Sequence, residues 1–268
     1  MGGLCGDMSD MNVAVSRNAL KRAPSTDGTV RGSGFADNVA ALLQRVEYRR
    51  CEKGEDLEAI YRLRYKAYRN HGTVPETADR ITTDRFDETP NCYHFGVWID
   101  NELASTVRLH HLTQEMPYSS VMDIFGDSIS PRLARGETFI NPTMFAADPS
   151  NAAIYRALPY VTLRLAVVAN THFDTTSCIC VIRSDHTAFY KRVFGSVQVG
   201  EPRPHPSFSV NVMLYDSDCA INMKPTLERF PFFRSTALER RLLFGRPAKG
   251  EVGSLTILPT TRYMKTAA

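Results

Sequence analysis

The stretch that most constrains the chain is residues 178–195, CICVIRSDHTAFYKRVFG, where a short β-branched run breaks at once into a helix. Residues 178–182 read as a buried strand, and Ser184 or Asp185 stands where a side chain can cap a first helical turn. Ala188, Phe189, Arg192 and Val193 then lay a stripe on one side before Gly195 stops the helix. Such a junction turns free N–H groups and a positive dipole end toward the edge of a sheet, where anionic parts of a ligand can sit, with Arg183 and His186 beside it. Any strand–helix unit has this junction, so a purely structural role stands beside the ligand-binding one.

The rest of the chain supplies the frame. Its 268 residues suit one large α/β domain with tails, divided as a flexible tail over 1–40, a domain over 41–220 and a basic helical extension over 221–268. With 43% apolar and 23% charged residues a sizeable core is expected. No apolar run reaches the ~18 residues of a membrane span. Arg164 interrupts the best candidate, 158–173, so at most peripheral membrane contact is expected. The N-terminus lacks a basic-then-apolar signal pattern and has Gly6 where myristoylation wants Ser or Thr, so a cytoplasmic location is expected.

The six cysteines show no C-x-x-C spacing, and Cys178 and Cys180 share one strand face, so free thiols are expected. The seven histidines are scattered, with His110 and His111 on opposite faces, so no metal is expected. A net charge of +3 gives no reason to expect nucleic acid. Basic residues nevertheless cluster at Arg49, Arg50, Arg62, Arg64, Lys66 and Arg69, and again at Arg229, Arg234, Arg240, Arg241 and Arg246. These are either solvated faces or a landing surface for an acidic partner.

In chain order, residues 46–51 alternate as a first strand. A helix follows in which Leu57, Ile60, Leu63, Arg64, Ala67 and Tyr68 recur at helical spacing. Arg64 falls at the rim of the buried face and needs a partner; Asp84 and Asp87 are the nearest candidates for a bidentate pair. Residues 92–99 and 103–111 form a hairpin across Asp100-Asn101-Glu102, with Arg108 pointing away from Val107 and Leu109. A crossover containing Met122 and Phe125 leads to a strand over 138–146, where Pro142 removes a ladder hydrogen bond and forces the strand to bulge or splay. A long helix over 152–173, the 178–195 unit, a last strand over 208–216 and a basic helix over 227–244 complete the order.

These elements resemble the N-acyltransferase superfold, and the motifs are similar to those of N-acyl amino acid synthases, relatives of the acyl-homoserine-lactone synthases. The matching residues are Leu63-Arg64-Tyr65-Lys66-Ala67-Tyr68, Asp84-Arg85-Phe86-Asp87, Phe95-Gly96-Val97, Val107-Arg108-Leu109 and Phe139-Ile140-Asn141-Pro142-Thr143, then Leu158-Pro159-Tyr160 through Arg164-Leu165 and residues 186–194. The resemblance implies a mixed, mainly antiparallel sheet with a splayed central strand, flanked by helices. It implies transfer of a long fatty acyl group from an acyl carrier protein to the α-amine of an amino acid. The donor would be the acyl-phosphopantetheine of the carrier, with no tightly bound cofactor.

By the same resemblance Arg64, Asp84, Asp87 and Arg108 shape the amine pocket, or form a structural ion-pair network, or both. The strand from Phe139 through Thr143 to Phe145 would hold the pantetheine arm, and the crossover at Phe125 would line an acyl tunnel. Where these families have a carboxylate and, three residues on, an arginine, this chain has Asn141 and Met144. Asn141 cannot take a proton but can accept a hydrogen bond from an amine; Glu137, two steps along the same face, is a conceivable water-mediated substitute. Tyr190 is a candidate acid for the departing thiolate, or a packed aromatic. Two rivals stand: a non-catalytic carrier- or lipid-binding module, and an acyltransferase using coenzyme A. Against the latter, Arg183-Ser184-Asp185-His186 replaces a Gly-rich pyrophosphate loop.

Overall fold

A computed structural model of the protein describes residues 33–206, 208, 210–245 and 256–263. Seven strands form one sheet in the order β1-β2-β3-β4-β5-β7-β6. They are β1 (Val46–Arg50), β2 (Cys92–Ile99), β3 (Glu102–Leu112), β4 (Phe139–Ala147), β5 (Ser177–Ile182), β6 (Val197–Pro204) and β7 (Asn211–Asp218). Every neighbouring pair is antiparallel except β4 and β5, the mixed and mainly antiparallel sheet expected. The β2–β3 hairpin turns on Asp100 and Asn101, whose φ values of 51° and 68° are those a two-residue primed turn requires.

The helices are α1 (Ser33–Leu43), α2 (Glu55–Asn70), α3 (Ser120–Ala134), α4 (Pro149–Ile154), α5 (Leu158–Phe173), α6 (Thr187–Phe194), α7 (Cys219–Arg229) and α8 (Ala237–Phe244). Strand alternation divides the core between two faces. Val107, Leu109 and Ile140 meet α5 and the C-terminal aromatics on one face; Leu112, Phe139, Ile179 and Leu214 meet α3 on the other. Gly96 is obligatory in β2, because a Cβ there would run into the Trp98 ring.

Two irregularities in β4 shape the site. It pairs with β5 only at Phe139–Ser177 and Ile140–Cys178, after which the two parallel strands part. Pro142, with no N–H to give, follows the point of separation. On its other edge β4 sets Thr143 opposite Arg108 and Ala146 opposite Thr106, so Met144 and Phe145 have no register partner on β3. This is a β-bulge, and Met144 occupies it with φ 50°, an uncommon conformation for a residue with a side chain.

Several boundaries differ from the sequence reading. Residues 33–43, read largely as tail, form α1, which packs Val39, Leu42 and Leu43 into the main core; residues 1–32 lie outside the description. The crossover is the helix α3, kinked at Phe125, and β6 is a strand that weak alternation over polar residues concealed. The long helix over 152–173 is two, α4 and α5, separated at Tyr155 because Pro159 can only stand in a first helical turn. Pro231 likewise divides the helix read over 227–244 into α7 and α8. Ser184 and Asp185 lie in a 3₁₀ turn preceding α6 and do not cap it with their side chains.

Candidate functional site

Four of the sequence candidates meet on the α2 face. Arg64 from α2 and Arg108 from β3 are both fully buried. Arg64 Nη1 and Arg108 Nη1 each donate to Asp87 Oδ1 at 2.8 Å. Arg108 also reaches Asp84 with both terminal nitrogens, at 2.5 and 2.9 Å, and gives its Nε to Thr143 Oγ1 at 2.9 Å. The bidentate pair therefore belongs to Arg108 and Asp84, not to Arg64, and Arg64 lies deep in the site rather than at its rim. Two cations face two anions, so the cluster is formally neutral. Burial works against the Asp87 charge, but Arg64 and Arg108 hold its carboxyl below the usual carboxylate range. The Asp84 side chain is 27% exposed and opens the cluster to solvent.

His94 completes the cluster, and sequence reading passed over it although β2 alternation puts it on the same face. Its Nε2 lies 2.8 Å from the Asp87 carbonyl oxygen, which can only accept, so the ring proton sits there and Nδ1 accepts from Arg64 Nη2 at 3.0 Å. Burial and the Arg64 charge push this imidazole down to about 4, so it is neutral at pH 7. Tyr68 of α2 was read only as a packing residue. Its hydroxyl donates to the Phe145 carbonyl at 3.1 Å and fixes the bulge next to Arg108.

Asn141 makes its hydrogen bonds to residues outside this cluster. It is fully buried, accepts from Ser119 Oγ at 2.6 Å and donates to the Ile179 carbonyl at 2.7 Å. Its amide ties α3 and β5 to β4 at the place where the strands part, so both of its ends are engaged within the fold. Glu137 is held by Arg132 and Arg135 at 2.7 Å each, and despite partial burial these partners keep its carboxyl low, which makes it a weaker base. Phe125 and Phe139 are packed in the core on the α3 face, under the guanidinium groups of Arg203 and Arg132. Arg183 pairs with Asp185 at 3.0 Å beside the half-buried His186.

The other face of the parting strands holds an apolar pocket that is partly open to solvent. Pro142 of β4, Cys178 and Cys180 of β5, Val167 of α5 and Tyr190 of α6 contribute to its lining. Phe125 and Phe139 are not among its lining residues and pack with α3 on the opposite face of the sheet. Burial and the neighbouring Cys180 and Cys178 push the Tyr190 hydroxyl well up, so it keeps its proton. Cys51, Cys92, Cys178, Cys180 and Cys219 are free thiols.

The fold that carries this arrangement has counterparts among known proteins. The family model of the N-acyl amino acid synthase FeeM matches residues 59–218, well over half of the chain. The chain belongs to the FeeM family of N-acyl amino acid synthases. Its reaction class is acyl transfer to an amine. No curated protein matches it in sequence. Among solved structures it is similar to FeeM from uncultured soil microbes, with a TM-score of 0.57 and 14% identity over 70% of this chain and 98% of that one. It is also similar to TofI, crystallised with an inhibitor and MTA, with a TM-score of 0.51 and 16% identity over 70% of this chain and 96% of that one. At these identities the structures show a shared fold. Among the described residues no helix is long and apolar enough to cross a membrane, and no group of three or more His, Cys, Asp or Glu could hold a metal ion.

Proposed function

We propose that this FeeM-family member moves a long fatty acyl group from the phosphopantetheine thioester of an acyl carrier protein to the α-amine of an amino acid. The observation that carries the reading is the junction of three features at one strand: the bulge at Met144 and Phe145, the Arg108–Asp84 pair beside it, and the cavity across the split from β5. The cavity takes the acyl chain, whose burial is favourable by about 0.8 kcal/mol per methylene. The thioester lies along β4 from Thr143 to Phe145, where N–H groups of the bulge polarise its carbonyl. The amine enters over Asp84. The nitrogen forms its bond to the carbonyl carbon and the C–S bond breaks; the proton that the nitrogen loses passes to solvent, while Tyr190, still protonated, supplies a proton to the departing sulfur and takes one back from solvent.

An acidic carrier suits the exposed Lys191, Arg192 and Arg229 around α6 and α7, beside the cavity wall. Arg49 and Arg50, in contrast, are occupied by Glu47, Asp56 and Glu52 and contribute less than their sequence cluster suggested. The reaction belongs in the cytoplasm, where such carriers are charged and thiols stay reduced.

The test is transfer by purified protein from acyl carrier protein and from acyl-coenzyme A to a panel of amino acids, read by mass spectrometry. An amide of fatty acid and amino acid, formed faster from the carrier and slowing as salt rises, is expected. Equal or better turnover with coenzyme A refutes the carrier assignment, and no amide from either donor refutes the reaction.

A further inference from the structure

One wall of the apolar cavity is built by a segment outside the family match. Cys219, Asn222, Met223 and Thr226 all line it, and their spacing of three, four and seven residues puts them on one side of α7. The family match ends at residue 218, one residue before this helix begins. Resting on the reading of the cavity as the acyl site, we propose that α7, through Met223, sets the length of acyl chain this protein accepts.

The wall cannot simply retreat. The Asn222 amide lies so close over Gly195 that a Cβ there would collide with it, and Gly195 at φ 63° is the left-handed residue that ends α6. Thr226 Oγ1 donates to the Val193 carbonyl at 3.4 Å and Arg229 Nη1 to the Arg192 carbonyl at 3.2 Å, so α7 is tied along the end of α6. At its other end the Asp218 carboxylate caps the helix through the Ile221 N–H at 3.1 Å. On this fixed scaffold Met223 is the one long apolar side chain among the four. It is partly buried against the main core, where an unbranched thioether fills whatever space the helix leaves. An acyl chain that enters where Pro142 and Cys180 part runs between α5 and α7, and Met223 decides how many methylenes fit beside it.

The experiment compares wild type, Met223→Ala and Met223→Trp in transfer from an equimolar mixture of carrier-bound acyl chains of 8 to 18 carbons, with product amides resolved by mass spectrometry and folding checked by thermal melt. Because one methylene in an apolar pocket discriminates by about tenfold or more, Met223→Ala should raise the longer products relative to the wild-type optimum about tenfold, and Met223→Trp should raise the shorter ones. Opposite shifts from two variants that melt like wild type would not follow from general loosening of the fold. Should one variant fail to fold, Met223→Phe or Met223→Val supplies the same direction with a smaller change of volume. A wild type that forms amide while all variants keep its length profile overturns the role of α7 and leaves the transfer reaction standing. A wild type that forms no amide overturns the reaction reading and this inference with it.

Discussion

Replacing Asn141 with Asp separates the structure's account of this residue from the sequence expectation most cleanly. The asparagine is fully buried, with Ser119 Oγ donating to one end of its amide and the Ile179 carbonyl accepting from the other. A carboxylate of the same shape keeps the Ser119 bond but turns a negative oxygen toward the Ile179 carbonyl, and two acceptors cannot satisfy each other. The folded protein can avoid this only by keeping the acid protonated, so that its hydroxyl donates where the amide did. The folded-state pKa of Asp at this position is then raised above the unfolded value of about 3.9, and each pH unit above that value costs ~1.36 kcal/mol. As pH rises the unfolded chain loses its proton first, so stability is lost from about pH 4 upward until the folded-state pKa is reached.

The penalty relative to wild type should therefore be about 1.5 kcal/mol at pH 5 and about 4 kcal/mol at pH 7. Urea denaturation of both proteins at the two pH values measures the difference, and a control with Ser119→Ala should lose about 1 kcal/mol at either pH. Acyl transfer by Asn141→Asp should not rise at low pH, since an acid that stays protonated to donate to the Ile179 carbonyl cannot act as a base. A penalty that is the same at both pH values, together with faster transfer below pH 7, would refute the reasoning. It would mean that the carboxylate is solvated and within reach of the amine.

Three further outcomes follow from buried charge. Asp87→Asn leaves two buried guanidinium groups with Asp84 alone and should cost about 3–5 kcal/mol, whereas Asp84→Asn, at the exposed edge, should cost about 1 kcal/mol; equal losses by urea denaturation would contradict the assigned depths. His94 and His110 are pushed down to about 4 and about 3, by burial first and by Arg64 and Arg108 respectively. Below pH ~6.5 the unfolded chain takes up protons that these rings refuse, so stability should fall by about 2 kcal/mol per histidine between pH 7 and 5. Proton NMR should find both rings neutral at pH 5, and a ring that titrates near 6.5 would remove its share. Glu239→Gln deprives the buried Arg164 of its counter-charge, held at 2.5 and 3.0 Å, and should cost about 3–5 kcal/mol. Residues 256–263, joined to the pair through Thr260 and Thr261, should then exchange amide protons sooner; unchanged exchange there would show that the pair does not hold the segment.

How much of this was visible in the sequence depended on whether a residue's task was local. The hairpin at Asp100-Asn101 and the alternation that places Arg108 opposite Val107 and Leu109 are properties of neighbours in the chain, and both were legible. So was the break at Pro142, because a missing N–H disturbs a sheet wherever the strand goes. The grouping of Arg64, Asp84, Asp87 and Arg108 was legible through family resemblance, but which arginine takes which carboxylate depends on the approach of α2 to β3: the sequence reading offered Arg64 both carboxylates, and it takes Asp87 while Arg108 holds Asp84 bidentately. Arg164 illustrates the opposite case. Inside an apolar helix it looked like an interruption, and its partner Glu239 lies 75 positions away in a helix the sequence reading drew with the wrong ends. Asn141 shows a related limit: strand parity gives its face, but only the arrival of α3 with Ser119 shows that its amide is engaged. Polar residues that satisfy one another across distant elements leave no periodic trace.

The same observations bear on how the proposed transfer can proceed without a base on β4. Asp87 is fixed by two arginines, Asp84 by one, Glu137 by two, and Asn141 has no proton to exchange. These side chains hold charge in place rather than move protons. An α-amine with a pKa near ~8 is already neutral in roughly one molecule in ten at pH 7, and a general base would add about 10²–10⁴ in rate. Holding amine and thioester in contact has effective molarities of about 10⁵–10⁸ M in well-oriented reactions, a larger effect than the base it replaces. A rigid, neutral ion cluster next to a bulge held by Tyr68 is suited to that kind of positioning. Its three buried charges and the half-buried Asp84 favour a fixed geometry over proton uptake, and the amine's own neutral fraction supplies the nucleophile.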